Sequence, residues 1–333
     1  FDLELIEVGG LKRVGLAKRA KTLAQLPKSL FASRSILQRF GATAVLGVGG
    51  YASGPVLVAA KTMGLPSAIC EQNSVPGLTN KMLARIVDKI FVTFDASRAF
   101  FPARKTQLVG NPVRASFIEA ASKPAPAVER GLVFTFGGSQ GARPLNECVP
   151  KALAIVAERA KTKSSLDVRA LHQAGKDDVA AVSAGYASAK VRADVTPFID
   201  DMVSAYRKAH VVICRAGATS CAEIGALGIP AILVPFPQAA DDHQSKNARD
   251  LERAGGCVVL PQSELTSERL AVEIERLLDD DTRTRIANAA RAWGRIDAGA
   301  AVARAAIAGF AQSVADVGHA RMAGATRAIA GRA

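Results

Sequence analysis

Twice in this 333-residue chain an apolar, β-branched run enters a glycine cluster and leaves it into an Ala/Leu-rich stretch. The first is "VLGVGGYASGPVLVAAK" (45–61) and the second "LVFTFGGSQGARPLNECVPKAL" (132–153). Strand, tight turn and helix fit that order, and glycines there let backbone N–H groups approach an anion that the helix N-terminus favours. One such turn is as readily an empty βα connection as a ligand site. Two of them, in separate halves of the chain, point to a ligand between two sheets.

The surrounding pattern agrees. Short β-branched runs alternate with longer Ala/Leu-rich segments, the signature of βα units and parallel sheet. Strands are expected at Leu3–Val8, Ala44–Val48, Ser67–Cys70, Lys89–Thr93 and Lys105–Leu108. A second set follows at Leu132–Phe136, Asp167–His172, Val191–Thr196, Val211–Cys214, Ala231–Val234 and Cys257–Leu260. Between the sets, "GNPVRASFIEAASKPAPAVERG" (110–131) has a Pro-Ala-Pro and no clear apolar period, so the boundary is placed there. The domains expected are 1–114 and 115–296, with a last helix at about 297–312 returning to the first domain and a loose tail over 313–333. A doubly wound domain opens with its own strand, glycine loop and helix. This sequence opens on Phe1 and goes directly into "FDLELIEV", so an earlier segment is expected to precede it.

Composition narrows the function. At 49% hydrophobic against 22% charged residues, a large core is readily buried. No apolar run approaches the ~20 residues of a membrane-spanning helix, and the reading is of a soluble, cytoplasmic protein. Cys70, Cys148, Cys214, Cys221 and Cys257 form no C-x-x-C pair and sit in apolar surroundings, so reduced structural thiols are expected. The histidines form no H-E-x-x-H, and neither metal nor cofactor is expected.

The net charge of +13 is uneven: residues 1–120 hold 16 Lys/Arg and 7 Asp/Glu, a net of +9. Between Val8 and Cys70 there is no acid, while Lys12, Arg13, Lys18, Arg19, Lys21, Lys28, Arg34 and Arg39 crowd its first part. Leu23, Leu26, Leu30, Phe31, Ile36, Leu37 and Phe40 are interleaved with them. Such a face suits anionic lipid, or water alone. Nucleic acid is disfavoured: no recognition motif is present and aromatic residues are only 5%.

Gly47, Gly49 and Ala52 fit the G-x-G-x-x-G/A dinucleotide fingerprint, with Glu71 near the place of a ribose-binding acid. Residues 195–248 offer a different nucleotide site. "PFIDDM" (197–202) ends a strand and begins a helix, and its backbone near Phe198–Ile199 can pair with a pyrimidine. "CRAGATSCAEIGALGIP" (214–230) places a Gly/Ser turn at a helix start, suited to a diphosphate, with Glu223 positioned for ribose hydroxyls. "VPFPQAADDHQSKNA" (234–248) presents His243, Gln244 and Asn247 to the hydroxyls of a sugar. An acid near a helix start is by itself commonplace; the three pieces in order favour a nucleotide sugar.

These motifs resemble those of the GT-B nucleotide-sugar glycosyltransferases, two Rossmann-like domains facing across a cleft. Within them the chain is similar to the N-acetylglucosaminyltransferases of peptidoglycan synthesis. The resemblance rests on "GVGGYASGP" (47–55), "EQNSVPGLTNK" (71–81), "GNPVR" (110–114), "GGSQGA" (137–142), "PFIDDM", "RAGATSCAEI" (215–224) and "DDHQSKNA" (241–248), which span about 200 residues in order. It implies inverting transfer of GlcNAc from UDP-GlcNAc to the C4 hydroxyl of MurNAc in a lipid-linked MurNAc-pentapeptide. That activity serves cell-wall formation, cell shape and division. It would take place peripherally on the cytoplasmic side of the bacterial inner membrane, beside other cell-wall synthesis proteins.

Roles follow by similarity. Ile199 would meet uracil through its backbone and Glu223 would hold the ribose. Ser139 and the turn Ala218, Thr219 and Ser220 would bind the diphosphate, and Cys221 and Ala222 belong to the same UDP-GlcNAc-binding run. His243 and Gln244 would contact GlcNAc, and Asn73 and Arg114 would complete the donor site. Gly49, Gly50, Tyr51, Ser53, Gly54, Glu71 and Gln72 would face the acceptor. The family's histidine-bearing first glycine loop, its favoured catalytic element, has no counterpart here; His172, His210, His243 and His319 do not match it. Related readings are a glycolipid glycosyltransferase, a UDP-GlcNAc 2-epimerase or a non-catalytic nucleotide binder, and "EQNSVPGLTNK" argues against the first two.

Overall fold

The computed structural model of the chain describes residues 3–6, 16–124, 128–163 and 166–308. The backbone divides into two compact units, residues 1–109 with 299–333 and residues 110–298.

In the first unit, α1 (Leu16–Arg39), β1 (Val45–Gly47), α2 (Ser53–Thr62), β2 (Ser67–Glu71), α3 (Leu78–Leu83), β3 (Lys89–Val92) and β4 (Thr106–Leu108) follow in sequence. The four strands form one parallel sheet in the order β1-β2-β3-β4. Alternation along β2 decides what each face buries. Ile69 joins Leu57, Val87, Ile90 and Leu37 of α1 in one core. Ala68 and Cys70 turn the other way and pack with Phe91, Val109, Val302 and Ala306. Val302 and Ala306 lie on a helix over 298–308. The expected helix residues 309–312 and the tail 313–333 lie outside the described residues.

The strand expected at Leu3–Val8 is not formed over its described part. Residues 3–6 join no ladder, and Leu3 and Leu5 are 84% and 87% exposed. Glu4 between them pairs with Arg39 at 2.8 Å.

The second unit holds α4 (Ala115–Ser122), β5 (Leu132–Phe136), α5 (Arg143–Lys163), β6 (Arg169–Gln173), α6 (Val179–Ser188), β7 (Arg192–Thr196), α7 (Met202–Lys208) and β8 (Val211–Cys214). It continues with α8 (Ala218–Leu227), β9 (Ala231–Leu233), α9 (His243–Arg253), β10 (Val258–Val259), α10 (Ser267–Leu278) and α11 (Asp280–Trp293). Its parallel sheet runs β10-β9-β8-β5-β6-β7. The chain moves outward from β5 to β7, then returns to the other side of β5. The order therefore reverses between β5 and β8, where doubly wound sheets open a crevice at their C-terminal edge.

Both sheet faces are covered. Val133 of β5 joins Val149, Leu153, Ile213, Leu270 and Ile274 in the large core. Phe134 and Phe136 point the opposite way, edge-on to Tyr206 at 5.7 and 5.6 Å between ring centres. Phe117 of α4 meets the same ring at 5.8 Å. That contact explains α4, which forms inside the segment expected to be an irregular boundary: two buried side chains, Phe117 and Ala120, suffice to seat a short helix. Asp201 caps α7, accepting the Ser204 N–H at 3.0 Å. "PFIDDM" thus stops a strand and starts a helix.

Candidate functional site

All six strands of the second unit's parallel sheet end at its C-terminal edge. Beside β5, the loop 137–142 is seated on the loop after β6. Gly141 has φ +73°, and a Cβ there would stand 1.9 Å from the Ala174 carbonyl oxygen. Only glycine permits that approach. Asn146 Nδ2 holds the same carbonyl at 2.9 Å and also donates to Asp178 at 2.8 Å. Asn146 Oδ1 therefore accepts from His172 Nε2 (3.0 Å), and His172 Nδ1 accepts the Tyr186 hydroxyl (2.9 Å). Burial lowers the His172 pKa to about 4, so the ring is neutral at pH 7. This apolar-side network fixes the loop from beneath, while Ser139 is exposed at its tip.

Across the switch point, β8 passes through Arg215 and Ala216 to Gly217, the N-cap of α8, which supplies no side-chain cap. The first helical bond runs from Cys221 N to Gly217 O at 3.0 Å. The amides of Ala218, Thr219 and Ser220 precede it and form the unfilled N-terminal turn of the helix. Unsatisfied N–H groups at a helix start of this kind favour an anion.

Glu223 lies inside α8, 4% exposed. Its Oε1 accepts from Arg114 Nη2 at 3.0 Å and its Oε2 from the Tyr206 hydroxyl at 3.3 Å. Burial pushes its pKa up, and the Arg114 and Tyr206 contacts pull it partly back. Two carboxylate oxygens with one partner each retain lone pairs for further donors. Tyr206 was invisible to sequence reasoning as a partner of Glu223, because the aromatic packing around it sets its direction.

Beyond β9, Asp241 and Asp242 both adopt left-handed backbone, φ +54° and +55°, a region Asp tolerates better than most residues. His243 then opens α9 and hydrogen-bonds through Nδ1 to the Ala240 carbonyl at 2.8 Å. That contact places the proton on Nδ1 in the neutral ring and leaves Nε2 an acceptor. Gln244 Oε1 accepts the Phe236 N–H at 3.0 Å, which leaves the amide –NH2 for other partners. Arg215, also missed, is 8% exposed and ties the β8 and β9 ends together. Its Nη1 donates to the Val234 and Pro235 carbonyls (3.1 and 3.2 Å), and its Nη2 to Gln262 Oε1 (2.7 Å).

Three of the expected site residues lie inside the fold. Cys221 and Ala222 are buried, the Cys221 N–H is already committed to Gly217, and burial pushes the thiol up to about 12. Both are buried residues of α8. Glu71, expected to face an acceptor, is 3% exposed. Its carboxylate accepts from the Asn73 N–H (3.0 Å), the Gly77 N–H (3.3 Å) and Asn80 Nδ2 (2.8 Å), folding the loop after β2 around itself.

The other first-unit candidates gather at one sheet edge, since β1 and β2 are parallel neighbours. Gly49 and Gly50 turn with φ +89° and +77°. Ser53 Oγ closes that turn on the Gly49 carbonyl (2.6 Å), next to Gly54 in the first turn of α2. Gln72 Nε2 links it to the loop after β2 through Val48 O (2.9 Å). Tyr51 is 47% exposed. Asn73 belongs to this unit and Arg114 to the second. Among the described residues, no three His, Cys, Asp or Glu side chains form a metal-holding group.

Comparison with known proteins fits this geometry. The family model described as the glycosyltransferase family 28 C-terminal domain matches residues 132–305, and that of the N-terminal domain matches residues 1–92. A curated relative from Myxococcus xanthus is 47% identical over 277 residues, 83% of this chain and 71% of its own length. It is named UDP-N-acetylglucosamine–N-acetylmuramyl-(pentapeptide) pyrophosphoryl-undecaprenol N-acetylglucosamine transferase. The crystal structure of MurG from Acinetobacter baumannii superposes with a TM-score of 0.69 at 32% identity, covering 89% of this chain and 82% of that one. A UDP-GlcNAc 2-epimerase from Neisseria meningitidis, bound to UDP-GlcNAc, has a TM-score of 0.62 over 85% of this chain and 81% of that one. At 12% identity it shares the fold alone.

Proposed function

The chain belongs to glycosyltransferase family 28, and from that premise we infer that it is a UDP-GlcNAc-dependent transferase of peptidoglycan synthesis. It transfers GlcNAc to the C4 hydroxyl of MurNAc in undecaprenyl-pyrophosphoryl-MurNAc-pentapeptide. The observation that carries this reading is the buried, doubly anchored Glu223 carboxylate beside two anion-accepting backbone turns. A ribose with two hydroxyl donors next to a diphosphate matches that pairing of charges.

In the donor site so defined, Ile199 meets the uracil and Glu223 accepts from the ribose hydroxyls. The Ala218, Thr219 and Ser220 amides and Ser139 receive the diphosphate, and Arg114 holds the Glu223 side of the pocket. His243 Nε2 accepts from, and the Gln244 amide donates to, the GlcNAc hydroxyls. As the C1–O bond to phosphate breaks, negative charge grows on the departing diphosphate, where pre-aimed N–H groups and the α8 N-terminus stabilise it. The acceptor oxygen attacks C1 from the face opposite the departing UDP and its hydroxyl proton passes to water, so the configuration inverts. On the first unit, the turn at Gly49, Gly50, Tyr51, Ser53 and Gly54, with Gln72, faces the pyrophosphate of the acceptor, and Asn73 completes the donor site. Glu71 only shapes the loop after β2.

The enzyme meets its lipid-linked acceptor at an anionic bilayer through α1. Phe31 is 73% exposed on that helix, with Lys28 and Arg34 exposed beside it, while Ser29, Ser33 and Leu37 face inward. Among the described residues no helix is long and apolar enough to cross a membrane, and surface docking needs none.

Incubation with UDP-GlcNAc and the lipid-linked MurNAc-pentapeptide should release UDP and extend the acceptor by one GlcNAc, read by mass spectrometry. An unextended acceptor contradicts the assignment.

A further inference from the structure

Gln173 ends β6 and is 3% exposed, yet its one amide group serves two loops. Nε2 donates to the Gly138 carbonyl at 2.9 Å, and Oε1 accepts the Ile199 N–H at 2.9 Å. A carbonyl can only accept and a backbone N–H can only donate, so the amide has one orientation that satisfies both. The Gly138 carbonyl also accepts the Gly141 N–H at 3.0 Å, so Gln173 fills its second lone pair. Ile199 lies between β7 and α7, whereas Gly138 immediately precedes Ser139 in the loop after β5. No other residue described in this site bridges those two loops through its side chain.

We propose that Gln173 is a positioning residue of the donor site, tying the base-reading backbone at Ile199 to the diphosphate loop at Gly138–Ser139. This deepens the donor assignment given above and rests on it. The two loops follow different strands, and without a rigid tie each would settle independently, so that a nucleotide would have to order both. The tie sets their spacing before the nucleotide arrives, which lowers the ordering cost of binding. It also makes the two ends interdependent: the Ile199 N–H is held by Gln173, so a base that meets the backbone there, through its carbonyl, shifts the group that holds Gly138.

The consequence is specific. A nucleotide reaching both loops gains more from Gln173 than one whose phosphate chain stops short. Gln173→Leu, close in size but without polar atoms, leaves the Ile199 N–H and the Gly138 carbonyl without their partner. Gln173→Glu keeps an acceptor for Ile199 but sets a carboxylate against the Gly138 carbonyl; lowering the pH until that carboxyl is protonated restores a donor there.

The test is calorimetric titration of UMP and UDP into the wild type and both variants, with the melting temperature of each unliganded protein. Gln173→Leu should weaken UDP about tenfold to a hundredfold, and UMP distinctly less. Gln173→Glu should weaken UDP above the carboxyl's pKa, with recovery as pH falls that the wild type does not show. A UDP/UMP affinity ratio unchanged in Gln173→Leu overturns the proposal, whether or not the melting temperature falls, since a purely structural role would leave the ratio alone. A wild type that binds neither nucleotide overturns the donor assignment itself.

Discussion

Arg114, at the N-cap of α4, holds the carboxylate of Glu223 inside α8 at 3.0 Å. The arginine side chain is 57% exposed and the glutamate 6%. A pair so open on one side contributes at most about 1 kcal/mol to stability. Its weight lies in opposing the burial that raises the Glu223 pKa.

Removing the arginine therefore moves a titration. Arg114→Ala raises the Glu223 pKa further, so UDP affinity, which needs the ionised carboxylate, is lost at a higher pH as pH falls. Arg114→Lys returns the midpoint toward that of the wild type, and Glu223→Ala weakens UDP about tenfold to a hundredfold at pH 7. UDP titrations at stepped pH read these midpoints; coincident profiles would contradict them. The linkage for folding has the opposite sense. A carboxyl whose folded pKa lies above the ordinary 4.5 binds its proton more tightly when folded, so its contribution to stability declines as pH rises through that window.

His172 gives the reverse slope. With its pKa lowered from 6.5 to about 4, the unfolded chain binds a proton in that window and the folded chain does not. Stability from this group is complete above pH 6.5 and falls by about 3 kcal/mol as pH drops to 4. Chemical denaturation of His172→Gln across that range should show a flatter profile, starting about 1–3 kcal/mol lower at pH 7 because Asn146 and Tyr186 lose their partner.

On α1, Lys28→Ala with Arg34→Ala should weaken binding to anionic vesicles, by about 1 kcal/mol for each charge removed. The loss shrinks as salt rises, because screening weakens the wild type as well. Phe31→Ala should weaken binding to neutral and anionic vesicles alike. Vesicle sedimentation measures both, and equal binding of the wild type to neutral and anionic vesicles would remove the electrostatic contribution.

The strands from Val45 onward and both glycine turns were legible because short β-branched runs and glycine spacing are local properties. The helix over Ala115–Ser122 was not, because it depends on Phe117 reaching Tyr206 across the fold. Leu3–Ile6 showed the converse, an alternating pattern that joins no ladder. In the candidate site, motif spacing alone could not say which members face outward. The run 218–223 contains three open amides, two core residues and one anchored acid, and helix phase against the sheet separates them. Glu71, Gln173 and Arg215 carry their meaning in bonds to backbone groups of other loops, which no sequence spacing reveals.

The central claim is that the second unit's sheet edge holds a uridine diphosphate rather than a dinucleotide. Titrating UDP and NAD in parallel into the wild type and Glu223→Ala tests it most directly. The account predicts saturable, one-to-one UDP binding that Glu223→Ala weakens, with no heat from NAD. Binding of NAD with no response to UDP would contradict it.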